Sequence, residues 1–348
     1  MSWTHSRRAA HGIAPALALV VLGVCAFPAA KVRAADAAVA ASPVLEDRYP
    51  HEPVMFADNV ESFADLVYSV QPGYRPLILD LYKPHAKANT AGRPLVIYVH
   101  GGGWQSGHTR QSGAFENWPA VLASIAARGY VVVSLEYRLS REAPFPAAVQ
   151  DVKSAIRWLR ANADKYGIDK TRAVVWGGSA GGQLAALVAT SCGVASLAPA
   201  TTDKESDCVQ GFIAWYGVFD FSTMNAFGSS AAPARDAHSE SITRYLGCGA
   251  SGCAAAALAA ASAVTYLDRN DPPALLVHGE LDKVVPVKQS RDFSEALQAK
   301  GIPVKLTVIP GVDHSFVGST REATRSASLT ALAQSIAFIE ATIGGKRP

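Results

Sequence analysis

The chain has 348 residues, with 32 Lys+Arg against 29 Asp+Glu, and apolar side chains make up 49% of it. That composition excludes a disordered chain and a fibrous repeat, and the length fits one large α/β domain or two smaller ones. No internal repeat is visible.

At the N-terminus Arg7 and Arg8 precede an apolar stretch from about Ile13 to Pro28, then small residues ending in Val32-Arg33-Ala34, the pattern of a cleaved export signal over residues 1–34. The apolar run is shorter than the roughly 20 residues that cross a bilayer, so a periplasmic or secreted protein is expected, with no stable membrane insertion after processing. Cys25 follows Val24 where a lipid-anchor site wants a small residue, and Ala9 to His11 is a poor continuation of a twin-arginine signal. Residues 1–34 hold four basic side chains and no acidic one, which leaves 28 Lys+Arg against 29 Asp+Glu. A near-neutral mature chain gives no footing for a nucleic-acid partner, which calls for a clustered basic face.

Residues 35–60 carry no clear period and read as a linker-like segment before a domain over 61–348. Strand-length apolar runs follow at Leu66 to Val70, Pro76 to Tyr82, Leu95 to Val99, Tyr130 to Leu135, Arg172 to Trp176, Phe212 to Tyr216, Ala274 to His278 and Pro303 to Ile309. The first two leave no room for a helix between them and predict a hairpin. Between later runs lie helical patterns: Trp118 to Arg128, stopped by Gly129; Ala147 to Asp164, with Val149, Val152, Ile156 and Leu159 on one face; and a stripe of Leu329, Leu332, Ala333, Ile336 and Ile343. Alternation of this kind predicts a mostly parallel sheet with helices on both faces. The rhythm breaks over 221–263, rich in Ala, Ser and Gly, which reads as a small insertion over the C-terminal edge of the sheet, either a solvated excursion or a lid.

Four cysteines remain after processing, and export places them where disulfides persist. They allow three pairings. Cys192 with Cys208 and Cys248 with Cys253 is favoured, because each pair brackets a short polar or Gly-rich loop; a Cys-x4-Cys spacing without a histidine pair is a weak zinc pattern.

Gly177-Gly178-Ser179-Ala180-Gly181 sits between a strand pattern and a helix pattern, the setting in which a serine is held on a sharp elbow with Oγ exposed. A hydroxyl is a weak nucleophile near neutral pH and needs a base that is itself oriented by an acid. In this setting the acid and then the histidine come later in the chain. Gly279-Glu280-Leu281-Asp282 and Gly311-Val312-Asp313-His314 each follow a strand, where open α/β sheets gather functional groups. His314 is the candidate base and Asp282 the candidate acid, with Glu280 and Asp313 as the neighbouring carboxylates. His278, at a strand end, reads as structural. His100-Gly101-Gly102-Gly103-Trp104 also follows a strand, and the N–H groups of Gly102, Gly103 and Ala180 are the candidate oxyanion donors. Trp104, Trp215 and Phe316 lie beside these motifs and are candidates for a substrate pocket.

HGGGW, GGSAGGQLA, HGELDKVVP and GVDHSF, in that order, resemble the α/β-hydrolase superfamily over roughly residues 60–345. The similarity is greatest to its secreted bacterial carboxylesterases, among them feruloyl and acetyl-xylan esterases and the hormone-sensitive-lipase group. The resemblance implies the α/β-hydrolase fold, Ser179, Asp282 and His314 as triad, the HGGG backbone as oxyanion hole, and no metal or organic cofactor. Its substrate is then a small-molecule or glycan-linked ester with a short or aromatic acyl group such as acetyl or feruloyl. Glu136-Tyr137-Arg138 and the helix from Pro146, with Asp151 near its start, resemble that family's scaffold. An amidase, peptidase or arylformamidase of the same fold is the rival reading, and a binding protein without catalysis is the other.

Overall fold

A computed structural model describes residues 52–88, 91–199, 204–224, 237–249 and 252–344. The export signal read at 1–34, and the linker as far as residue 51, lie outside the described residues.

Among the described residues nine strands form one sheet in the order β1-β2-β3-β5-β4-β6-β7-β8-β9. They are β1 (Val54–Phe56), β2 (Val60–Ser69), β3 (Leu77–Pro84), β4 (Arg93–Val99), β5 (Val131–Leu135), β6 (Ile168–Gly178), β7 (Gly211–Trp215), β8 (Ala274–Gly279) and β9 (Val304–Ile309). The first three meander antiparallel, as the short spacing of the first two runs requires, and β3 also pairs antiparallel with β5. From β5 through β9 every pairing is parallel. The run Leu95 to Val99 shows why: all five side chains are buried, because helices cover the sheet on both faces.

Odd and even positions of β4 serve different layers. Leu95, Ile97 and Val99 pack into one core with Val149, Val152 and Ile156 of α2 (Ala147–Ala161) and Leu184 and Leu187 of α3 (Ala180–Thr190). Val96 and Tyr98 belong to the other core, with Trp118, Leu122 and Ile125 of α1 (Trp118–Ala126) and Ile339 and Ile343 of α7 (Arg321–Ile343). Each such side chain contributes on the order of 1.5–3 kcal/mol of burial. Further helices are α4 (Ala237–Leu246) and α5 (Ala255–Ala261), both in the insertion, and α6 (Lys288–Ala299), besides the single turns Ala163–Tyr166 and Phe221–Met224.

Residues 54–56 correct the expectation of a loose segment up to residue 60, since they pair with Val60 to Ser62 as an edge strand. Both expected disulfides are present, Cys192–Cys208 and Cys248–Cys253. Asp151 is fully buried in α2 and binds the backbone N–H and guanidinium of Arg138, at 2.8–3.1 Å. Burial pushes its carboxyl up, and the Arg138 partnership opposes that. The pair joins α2 to the segment after β5, a scaffold role.

Candidate active site

β6 ends at Gly178 and α3 begins at Ala180, so Ser179 alone makes the turn, at φ 57° and ψ −121°. A non-glycine residue with positive φ is a strained one, and such strain gathers at functional sites. Neighbouring glycines make room for it. A Cβ on Gly181 would lie 2.0 Å from the Val99 carbonyl oxygen, and one on Gly177 would lie 2.3 Å from the Gly181 backbone. The elbow is fixed from the next strand by a bond from Ser179 N–H to the Trp215 carbonyl, at 2.8 Å.

Ser179 Oγ lies 2.9 Å from His314 Nε2, and His314 Nδ1 lies 2.8 Å from Asp282 Oδ2. Because the carboxylate accepts at Nδ1, the imidazole carries its proton there and leaves Nε2 free to accept from the serine hydroxyl. Asp282 is 8% exposed, and its other oxygen, Oδ1, accepts from the N–H groups of Val284 and Val285 at 2.9 and 2.8 Å. Burial would push this carboxyl up; hydrogen bonds from His278 and His314 outweigh that and hold it far below the usual carboxylate range. The two other carboxylates are occupied elsewhere. Asp313 Oδ1 accepts from Lys283 N–H and His314 N–H, at 2.9 and 2.7 Å, and thereby ties the two loops together. Glu280 is exposed and accepts from Gly311 N–H at 3.3 Å.

The glycine loop closes over this triad of side chains. Gly102 has φ 108°, and a Cβ there would sit 2.2 Å from the Ser106 carbonyl oxygen, so only glycine makes the turn. Its carbonyl receives Gln105 N–H and Ser106 N–H at 3.0 and 3.1 Å. His100 is buried, stacks on Tyr137 at 4.4 Å, and donates from Nδ1 to the Gly101 carbonyl; burial lowers its affinity for a proton to a pKa of about 4, so the ring stays neutral. The far end of the loop is fastened to β3, where buried Asp80 accepts from Thr109 Oγ1 and Arg110 Nε, each at 2.8 Å. Gly102, Gly103 and Ala180 all line a cavity of about 440 Å³ that also holds Ser179 and His314. Ala180 opens α3, where backbone N–H groups have no intrahelical acceptor.

Of the three aromatic pocket candidates, Trp104 lines this cavity. Trp215 and Phe316 do not. Trp215, the last residue of β7, is fully buried, donates from Nε1 to Ser335 Oγ of α7 and packs edge-on to Phe316. Tyr216, one residue later, takes the place facing the cavity and meets the His314 ring at 4.7 Å. Its position just past the C-terminal end of β7 was the available sequence signal. Polar Ser106, Gln111 and Ser112 line the cavity together with apolar Val218, Val284 and Val285.

Sequence reading also missed how the insertion meets the site. Ser241 of α4 donates to the Gly103 carbonyl at 2.6 Å, and Tyr245 stacks on Trp104 at 4.4 Å with their planes 10° apart. Both rings donate to Gln183 Oε1, at 3.0 Å from Trp104 and 3.3 Å from Tyr245, while Gln183 Nε2 donates to the Ala261 carbonyl. The described part of the insertion therefore buttresses the glycine loop. Among the described residues no group of three or more His, Cys, Asp or Glu side chains is placed to hold a metal ion.

The BD-FAE family pattern matches residues 79–297, which takes in the glycine loop, the serine elbow and Asp282. The chain belongs to the BD-FAE family. It is similar to the esterase LipQ of Mycobacterium tuberculosis, 31% identical over 77% of this chain and 60% of LipQ, and to the esterase LipC of the same organism, 34% identical over 65% of this chain and 54% of LipC. The chain thus spans about half to three-fifths of these relatives' length. A solved esterase of Thermogutta terrifontis with propionate bound aligns at TM-score 0.65 and 27% identity, over 81% of this chain and 95% of that one. The fold is that of the α/β-hydrolases.

Proposed function

We propose that this protein is an exported serine-dependent carboxylic ester hydrolase acting on short-chain or aromatic acyl esters. The observation that carries the reading is the continuous hydrogen-bonded chain from Asp282 through His314 to Ser179, opening into a cavity beside Gly102, Gly103 and Ala180. Ser179 Oγ attacks the ester carbonyl carbon as His314 Nε2 takes the hydroxyl proton, and Asp282 steadies the imidazolium so formed. The N–H groups of Gly102, Gly103 and Ala180 receive the oxyanion. The carbon–oxygen bond to the alcohol breaks, and His314 returns the proton to the leaving oxygen. Water, deprotonated by His314, then attacks the acyl carbon; the bond to Ser179 Oγ breaks, His314 returns the proton to that oxygen, and the acid is released.

The lining supports a compact acyl group, with Val218, Val284 and Val285 as apolar contacts and Ser106, Gln111 and Ser112 available to a hydroxyl-bearing alcohol or glycan. The propionate in the Thermogutta esterase is of that size. Two disulfides support export, since such bonds persist in oxidising compartments.

The test is a rate comparison on p-nitrophenyl esters from acetyl to dodecanoyl, methyl ferulate, and p-nitroacetanilide. Turnover of acetyl to butyryl or feruloyl esters, with long chains and the anilide slow, is the expected pattern. Preference for the anilide, or inertness toward every ester, overturns the proposal.

Ser241 provides a smaller effect. Its bond fixes the Gly103 carbonyl and so the direction of the adjoining N–H groups. Removing a hydrogen bond worth ~1 kcal/mol in Ser241→Ala is expected to lower kcat for p-nitrophenyl acetate about fivefold with KM little changed. An unaltered kcat in steady-state assays would show that the insertion does not support the oxyanion site.

A further inference from the structure

His278 is fully buried at the end of β8, four residues before Asp282, and the catalytic steps above make no use of it. Its Nε2 lies 2.7 Å from the Val285 carbonyl oxygen and 3.2 Å from Asp282 Oδ2. A carbonyl only accepts, so Nε2 carries a proton, and the carboxylate shares it. In the neutral ring Nδ1 then accepts from the Ser290 hydroxyl of α6, at 2.7 Å, which sets the ring plane. Asp282 Oδ2 consequently stands between two imidazoles, at 2.8 Å from His314 and 3.2 Å from His278.

We propose that His278 is a positioning residue of this site: its Nε2–H, held by Ser290 and Val285, fixes the Asp282 carboxylate and tempers how strongly that carboxylate binds the His314 proton. The proposal rests on the serine-hydrolase reading. Val284 and Val285 fix only Oδ1, which leaves the Oδ2 end to be set by the histidines. One donor too few at Oδ2 leaves more of the negative charge for His314.

The surrounding groups leave His278 as the neighbour placed for that duty. From the β9 side come His314 and Asp313, the latter paired with Lys283 at 3.6 Å. From β7 comes Tyr216, edge-on to His314. α6 offers Ser290, while its Lys288–Asp292 pair is on the exposed face.

The experiment compares kcat, KM and the pH profile of kcat/KM on p-nitrophenyl acetate for the intact protein and the variants His278→Asn, His278→Gln and Ser290→Ala, with Ser179→Ala in the same assay. Asparagine keeps an acceptor for the Ser290 hydroxyl near Nδ1 and loses the donor at Nε2; glutamine places its amide nitrogen near Nε2. His278→Asn is expected to lower kcat about tenfold, as loss of a hydrogen bond to a charged group does, with KM nearly constant. Its acid limb moves to higher pH, because a less compensated Asp282 holds the protonated His314 more firmly. His278→Gln recovers most of the rate and the limb. Ser290→Ala shifts both in the direction of His278→Asn by a smaller amount, and it keeps the test decisive should His278→Asn not fold. Equal impairment of the asparagine and glutamine variants with an unmoved limb, or a wild-type profile in Ser290→Ala, overturns the proposal. Activity surviving in Ser179→Ala would instead overturn the serine-hydrolase reading itself.

Discussion

Ser179→Ala is expected to lower kcat for p-nitrophenyl acetate by about 10⁶-fold, the scale of losing the nucleophile of such a triad, while the protein remains folded. The change removes one oxygen whose bond runs to His314 Nε2, at 2.9 Å. What holds the elbow is untouched: the Ser179 N–H bond to Trp215, the Gly181 approach to Val99, and β6 beneath them. Alanine suffers the same backbone strain at φ 57° as serine, so thermal unfolding is expected within a degree or two of the wild type. Activity assays beside a circular-dichroism melt check both halves. A variant that keeps a tenth of the rate sinks the role of Ser179, whereas one that is inactive and unfolded leaves the kinetics uninformative about chemistry and requires Ser179→Cys in its place.

Most strands of the parallel half were legible because they are buried on both faces and therefore read as nearly continuous apolar runs; Leu95 to Val99 and Ala274 to Val277 are the clearest, while β9, with Lys305 and Thr307, is only partly buried. β1 was not. Val54 and Met55 are 56% and 50% exposed at the sheet edge, so no burial pattern marks them. That Ser179, Asp282 and His314 meet was legible from chain order together with strand ends, since the fold delivers strand C-termini to one edge and each of the three follows a strand. Sequence proximity misled at Trp215. The strand buries Trp215 against α7, and the chain leaves β7 through Tyr216 at φ 37°, which brings that ring beside the site. The insertion was the least legible part. Its anchor from Ser241 to Gly103 spans 138 positions, and neither a serine in an Ala- and Ser-rich stretch nor a buried glutamine three residues into α3 announces a partner at that distance. Asp282 could be preferred to Glu280 and Asp313 on spacing, but what separates them is which backbone N–H groups each one occupies.

That separation yields the other large effect: Asp282→Asn is expected to lower kcat about 10⁴-fold, the scale seen when an orienting aspartate of this kind becomes an amide. Asp282 accepts at both ends, from two backbone N–H groups at Oδ1 and from His314 at Oδ2. An amide has one accepting end. If its oxygen stays on Val284 and Val285, its NH₂ faces Nδ1 of His314, which then must accept there and carry its proton on Nε2, where it cannot take one from Ser179. If the amide turns over, the NH₂ is pressed against the N–H groups of Val284 and buried Val285 and the loop before α6 loses its anchor, at a cost of about 1–3 kcal/mol for a buried donor left unpaired. The turned-over amide would keep the productive tautomer of His314 but costs more, so the first arrangement prevails and with it the base is lost. Asp313→Asn keeps an accepting oxygen for Lys283 N–H and His314 N–H, and Glu280→Gln keeps one for Gly311 N–H, so both are expected within about threefold of the wild-type kcat, in line with uncharged replacement at sites whose bonds survive. Steady-state kinetics on the three variants rank the carboxylates. A loss at Asp313 as large as at Asp282 would transfer the orienting role to the carboxylate beside the base, and near-wild-type activity in Asp282→Asn would mean that His314 finds its tautomer without a charged partner.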